Sequence, residues 1–216
     1  MPFFGFIPSQ ELLDNIQAGL ENKNSNEPLY PLRDKTALLI NDEIIDAILT
    51  DMIRHFPASD RRDTAEKLAG YIKSTVAVLL KQLLGKATNT VVQQSITFSG
   101  QSLFQDPDGH QRVGAPMDQD LVRQLKALYA EIASNGDVDR HLLSEAYQKF
   151  ADATIQHFMT DFNKTLDLGL IKRKASDIGV VAVSKAVHIA IHRLIPHLNQ
   201  DELKAVAEYH NGLFFD

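Results

Sequence analysis

The stretch AEKLAGYIKSTVAVLLKQLL, residues 65–84, decides the fold. Leu68, Ile72, Val76, Leu79 and Leu83 recur at spacings of three and four, and Leu80 and Leu84 widen the stripe. A helix lying on a surface needs one apolar stripe; one that is apolar over more than half its circumference belongs near the centre of a helical fold. Asp63-Thr64-Ala65-Glu66 fits a capping box with Asp in the Ser/Thr place, so the helix is expected to begin near Asp60 or Asp63. Gly85 follows as its stop.

The same periodicity extends to both sides. Ser9 is a fitting N-cap for a helix with Leu12, Ile16 and Leu20 on one face. Pro28 and Pro31 bracket an extended connection. From about Asn41, Ile44, Ile45, Ile48, Leu49, Met52, Ile53 and Phe56 make a broad stripe closed by Pro57, while Thr36 to Ile40 suit either the first turns of that helix or a short strand. Beyond the centre, Leu121, Leu125, Leu128 and Ile132 give a stripe stopped by Asn135-Gly136. A long helix is then expected from about Asp139, one from about Ser176 to Ile195, and a last one capped by Asn199 with Glu202 three residues on.

Residues 85–117 break the pattern. Asp106-Pro107-Asp108-Gly109 is a strong turn signal, since Pro presets φ and Gly accepts φ > 0. Ile96 and Phe98 alternate with polar neighbours on one side and Val113 lies on the other, which predicts a two-stranded β arm. The expected architecture is mainly α: a bundle of about seven helices with that small arm in the middle. It is read as one domain over 1–216, divisible into 1–84 and 118–216 joined by the arm. Phe3, Phe4, Phe6, Phe214 and Phe215 cluster at the two ends; they either fold back on the core or anchor a homodimer.

Composition bounds the function. The chain has 216 residues, 44% apolar and 23% charged, enough to bury one ordinary core without staples. It has no cysteine, which excludes disulfides and thiolate chemistry. A formal net charge of −6 argues against a general nucleic-acid binder. The apolar start, Met1 to Pro8, lacks a basic leader, and Ile178 to Ile195 carries Lys185, His188, His192 and Arg193, too polar a set for a lipid-spanning helix. A soluble, cytoplasmic protein without a membrane partner is expected.

Several clusters are candidate sites. Ser184, His188 and His192 share a helix face at spacings of four, and two His so spaced can share a metal. His157 and Asp161, again four apart, are possible further donors if their helix packs antiparallel to the first. The zinc-protease pattern needs Glu where Ile189 stands, and Lys185 and Arg193 would repel a cation. The rival is a structural polar stripe. Residues 172–197 contain Lys172, Arg173, Lys174, Lys185 and Arg193 against Asp177 alone, whereas 118–168 carries nine acidic and five basic residues. Lys172, Arg173 and Lys185 are therefore candidate anion-binding residues, with a solvated inter-helix turn as the plain alternative.

The turn Ser134-Asn135-Gly136-Asp137-Val138-Asp139 resembles one in the tellurite-resistance family of helical modules, with His141 and Leu142 where those place an acidic residue; the resemblance is confined to this turn. Leu142 and Ala115 occupy the twelfth positions where calcium loops built on Gly136 or Gly109 would need a bidentate Glu. A helix-turn-helix reading puts acidic side chains of the second helix against phosphates. No dinucleotide or phosphate loop, nucleophile elbow or Glu-x-x-His occurs. The leading expectation is a non-catalytic all-α binding or regulatory protein, a homo-oligomer without a resident cofactor. Its rivals are a divalent transition-metal site of His188, His192, His157 and Asp161, and a binder of an anionic small molecule.

Overall fold

A computed structural model describes residues 1–215. It is mainly α, 72% helical. Helix α4 (Asp60–Leu83) starts from Ser59, whose side chain accepts the Arg62 N–H, and buries Ile72, Val76, Leu79, Leu80 and Leu83 as the periodicity requires; with Tyr71 and Val78 in solvent it lies at the side of the body and not, as expected, near its centre. It packs against α2 (Tyr30–Ile45) on one side and α9 (Leu170–Leu194) on another. The other helices are α1 (Gln10–Glu21), α3 (Asp51–Arg54), α5 (Asn89–Gln101), α6 (Gln119–Ala133), α7 (Arg140–Ile155), α8 (Phe162–Lys164) and α10 (Gln200–Asn211). Caps expected at Ser9 and Asn199 are present; Asn199 and Glu202 form a reciprocal capping box.

Two of these helices are not plain α. A π segment, Asp46–Thr50, joins α2 to α3, and a second, Gln156–Asp161, joins α7 to α8, so each set forms one unbroken rod. Pro31 lies inside the first turn of α2 rather than in an extended link. Proline is tolerated there because a first-turn N–H has no partner to lose. Thr36 to Ile40 are helical. Helix α9 begins six residues before the expected Ser176, at Leu170 with Gly169 as N-cap.

The middle of the chain corrects the β-arm expectation. Ile96 and Phe98 belong to α5, not to a strand. Two residues apart on a helix they point to nearly opposite sides. Ile96 packs on Gly19 of α1, with its Cγ2 atom 3.2 Å from where a Cβ would stand, and Phe98 lies on the His157 ring at 4.8 Å between centroids. The true seam is Val92, Ser95, Ile96 and Ser99, all buried. The expected hairpin survives as β2 (Leu103–Gln105) and β3 (Gln111–Pro116), turned by Asp106 to Gly109.

That hairpin does not stand alone. The N-terminal strand β1 (Phe3–Phe6) pairs antiparallel with β3, and β4 (Phe214–Phe215) pairs antiparallel with β1, giving the order β2-β3-β1-β4. The terminal phenylalanines therefore fold back: Phe4 is fully buried, edge-on to Phe150 at 5.0 Å and near Phe214 at 6.1 Å. The pairing admits no side chain at one point. Gly5 and Gly114 oppose each other beneath the Phe104 ring, and a Cβ on Gly114 would sit 1.9 Å from the Phe4 carbonyl oxygen.

Gly114→Ala should therefore prevent β1 from seating on β3. Urea unfolding should show a loss of about 3 kcal/mol or more, whereas Gly70→Ala, an open helical position, should change stability by about 1 kcal/mol or less, toward greater stability.

Candidate functional site

Five helical rods do not quite meet. Between the α2–α3 rod, α4, the α7–α8 rod, α9 and α10 lies a partly open cavity of about 140 Å³, and the atoms it exposes are apolar. Ile48 and Leu49 of the first π segment and Phe158 and Met159 of the second both line it. A π turn inserts one extra residue into a helix and shifts the facing of every side chain beyond it; such turns cluster at functional sites. Two in the wall of one cavity point to a shaped space rather than a chance packing fault. The polar side chains at the wall are already engaged: Thr154 Oγ1 donates to the Phe150 carbonyl at 2.9 Å and Asn41 Nδ2 to the Ala37 carbonyl at 2.9 Å.

One end of the cavity carries a buried hydrogen-bond chain. Tyr129 Oη donates to Tyr147 Oη at 3.0 Å, Tyr147 Oη meets His210 Nδ1 at 2.7 Å, and His210 Nε2 lies 2.9 Å from the Ile48 carbonyl in the first π segment. The carbonyl can only accept, so Nε2 carries the proton and Nδ1 accepts from Tyr147. Every link then has one donor and one acceptor. Burial pushes the Tyr147 hydroxyl well above its usual range, with Tyr129 adding to it, and raises Tyr129 likewise. Burial pushes His210 down to about 4, partly offset by the Ile48 carbonyl. The imidazole therefore sits neutral, tying α10 to α7 and to the π segment that shapes the cavity.

The sequence-predicted donors are dispersed. On α9, His188 Nε2 contacts Asp152 Oδ1 of α7 at 2.8 Å, and Ser184 Oγ donates to that same oxygen at 3.0 Å. His192 Nε2 lies against Gln148 Nε2 at 2.9 Å. The helices do pack antiparallel, as the pairs 148–192 and 152–188 show, but His157 turns to α5. There its Nε2 meets Ser102 Oγ at 3.0 Å, and burial lowers its pKa, with Asp161 opposing. Asp161 accepts from Lys164 at 2.7 Å and Gln156 at 2.9 Å. Asp152 was the partner that sequence did not single out: its i, i+4 phase with Gln148 could have shown it on the face meeting α9. The carboxylate stands between Ser184 and His188, so this trio lacks the nucleophile-to-base contact of a hydrolytic triad.

Of the anion candidates, Lys172 Nζ caps the carboxyl end of α4 by donating to the Leu83 carbonyl at 3.1 Å, Arg173 reaches only to the Leu168 carbonyl at 3.5 Å, and Lys185 is exposed. Lys172 to Lys174 lie within the first turns of α9 rather than ahead of it. Elsewhere, Asp106, Asp108 and His110 bring three ligand-capable atoms within 4.8 Å of one another. Asp106 there serves the hairpin: it accepts the N–H groups of Asp108 at 3.0 Å and His110 at 2.9 Å and the Arg112 Nε at 2.8 Å. Burial would raise its pKa, but the His110 N–H and the Arg112 guanidinium prevail and lower it.

Between pH 6.5 and about 4 the unfolded chain takes up a proton on His210 that the folded protein refuses. Stability should thus be full above pH 6.5 and fall toward pH 4, by on the order of 3 kcal/mol from this group. His210→Gln should unfold more easily at neutral pH, by about 1–3 kcal/mol, yet lose that share of the acid slope in urea titrations at several pH values. Compared with models of known protein families, with curated proteins and with solved structures, the chain matches none.

Proposed function

We propose that this chain is a non-catalytic binding protein whose ligand places an apolar body in the cavity between the five helical rods. A small hydrocarbon-like molecule or the end of an acyl chain has the required chemistry. The observation that carries this reading is the cavity itself, about 140 Å³ with carbon-lined walls. An engineered apolar cavity of similar size stays dry and binds benzene or xenon. Left empty, such a space forgoes about 3 kcal/mol of packing, a large part of the 5–15 kcal/mol that holds a typical domain folded. A ligand recovers that loss. The two π segments support the reading, because both contribute side chains to the wall of the space.

The non-catalytic half rests on how the neighbouring polar groups are spent. Tyr129, Tyr147 and His210 satisfy one another and end on a backbone carbonyl, and His210 is held neutral by burial. The Asp152, Ser184 and His188 contact is half-exposed and joins two helices; such surface pairs contribute up to about 1 kcal/mol.

Titration with an apolar naphthylamine dye should give a saturable rise in fluorescence that straight-chain alcohols reverse, more strongly as the chain lengthens. Ala190→Leu, which adds three carbons at the wall, should abolish the signal and raise the melting temperature by about 3 °C or more. An unsaturable signal, or one that Ala190→Leu leaves intact, would sink the reading.

A further inference from the structure

Helix α9 is unusual for a helix of a folded core. The span Leu170–His197 has a mean hydropathy of 1.6 in its most apolar window, yet only 17% of that window is buried. Its inner face, with Val183 and Ala190, packs on the rest of the molecule, and Leu79 of α4 lies against Gly179. Its outer face stands in solvent: Ile171 is 85% exposed, Ile178 71% and Val181 67%. Ile171, Ala175, Ile178, Ala182, Lys185 and Ile189 recur at alternating spacings of four and three, one straight ridge about 27 Å long.

The neighbouring helix extends this face. The contacts of Leu79 with Gly179 and of Lys172 with the Leu83 carbonyl show α4 running antiparallel beside α9. Helical phase then puts Tyr71 and Val78, 63% and 55% exposed, on the same side as Ile171, Ile178 and Ile189. Lys67 and Lys81 of α4 and Lys174 of α9 flank the two ridges and Lys185 lies within the α9 ridge, all exposed and none in an ion pair among the described residues. Asp177 points away from the ridge by about a quarter turn. Along this aliphatic face four exposed lysines stand against Asp63, which shares the helical phase of Lys81, and Asp177 to one side, an excess of positive charge in a chain whose formal net charge is −6.

We propose that the α4–α9 face docks on a membrane surface rich in anionic phospholipid. The aliphatic ridge enters the headgroup boundary while the lysines keep their charged ends among the phosphates. Charge selects this occupant over a second copy of the chain. Parallel pairing of α9 with itself sets Lys185 against Lys185; antiparallel pairing brings Lys172 to Lys174 of one copy to the His192 and Arg193 end of the other. An anionic bilayer meets the same lysines with opposite charge, and the acidic remainder of the protein orients this face toward it. By length and composition Leu170–His197 could cross a bilayer, against the expectation of a membrane-free protein, but Lys185 and His188 suit a helix lying in the interface, still packed on α4 and α7. Docking here goes beyond the cavity reading and does not depend on it.

The full chain should be tested by flotation with phosphatidylcholine vesicles, with and without about 30 mol% phosphatidylglycerol. Binding is expected only with the anionic lipid, and should fall at least about tenfold between about 50 mM and 500 mM salt. Ile178→Asp should abolish it, and the pair Lys174→Ser with Lys185→Ser should weaken it about tenfold, both with unchanged circular dichroism. Absence of binding, equal binding to neutral vesicles, or wild-type binding by both variants would overturn the proposal. So would a solution mass of about 48 kDa, twice the 24.1 kDa chain, that Ile178→Asp halves, since a second copy would then own the face. Dye binding in the absence of vesicles, retained in Ile178→Asp, separates failure here from failure of the cavity reading.

Discussion

The rest of the structure depends on β1 finding its place between β3 and β4. A strand of four residues brings the first, middle and last parts of the chain together, and its Phe4 side chain enters the core against Phe150 and Phe214. The close approach is possible because Gly5 faces Gly114, where the strand backbones leave no room for a methyl group. This contact spans more than a hundred residues of sequence, so its loop-closure cost is offset only once the helices around Phe150 have assembled. The sheet acts as a clasp on a helical body.

Behind the clasp, helices pack well where their stripes agree and leave space where they do not. The α2–α3 and α7–α8 rods both carry their π segments in the wall of the cavity. In each, the extra residue rotates the following apolar side chains to a new azimuth. The Tyr129, Tyr147 and His210 chain locks that geometry by ending on the carbonyl of Ile48, itself inside a π segment. A polar chain that is fully satisfied in a dry interior is stiff, because breaking any link leaves a buried group unpaired. The cavity therefore has one end held rigid by a polar chain behind its wall, while the atoms it exposes are apolar.

Helix α9 borders both the cavity and the exposed ridge. Its inner residues, among them Val183, Val187 and Ala190, line the cavity, and its outer residues form the exposed ridge. A helix apolar on both sides normally sits in a core. Here the outer side has no protein layer over it, and the charges at its edges are basic.

Local order in the sequence settled the helical class, the caps at Ser9 and Asn199, the buried stripe of residues 65–84 and the turn at Asp106 to Gly109, but not that those residues leave their other face in solvent. Each of these depends on side chains within a few residues of one another. It did not settle that Ile96 and Phe98 are helical, because a spacing of two fits a strand and, with both sides packed, a helix equally well. Nor did it place the start of α9, since Leu170 and Ile171 face solvent and left the apolar stripe without a visible beginning. The histidines were visible, but whether His157 meets His188 depends on the rotation of two helices about their axes, which packing alone fixes. The cavity was the least legible feature, because an empty volume belongs to no residue and arises only when five rods, two of them interrupted by a π segment, come together.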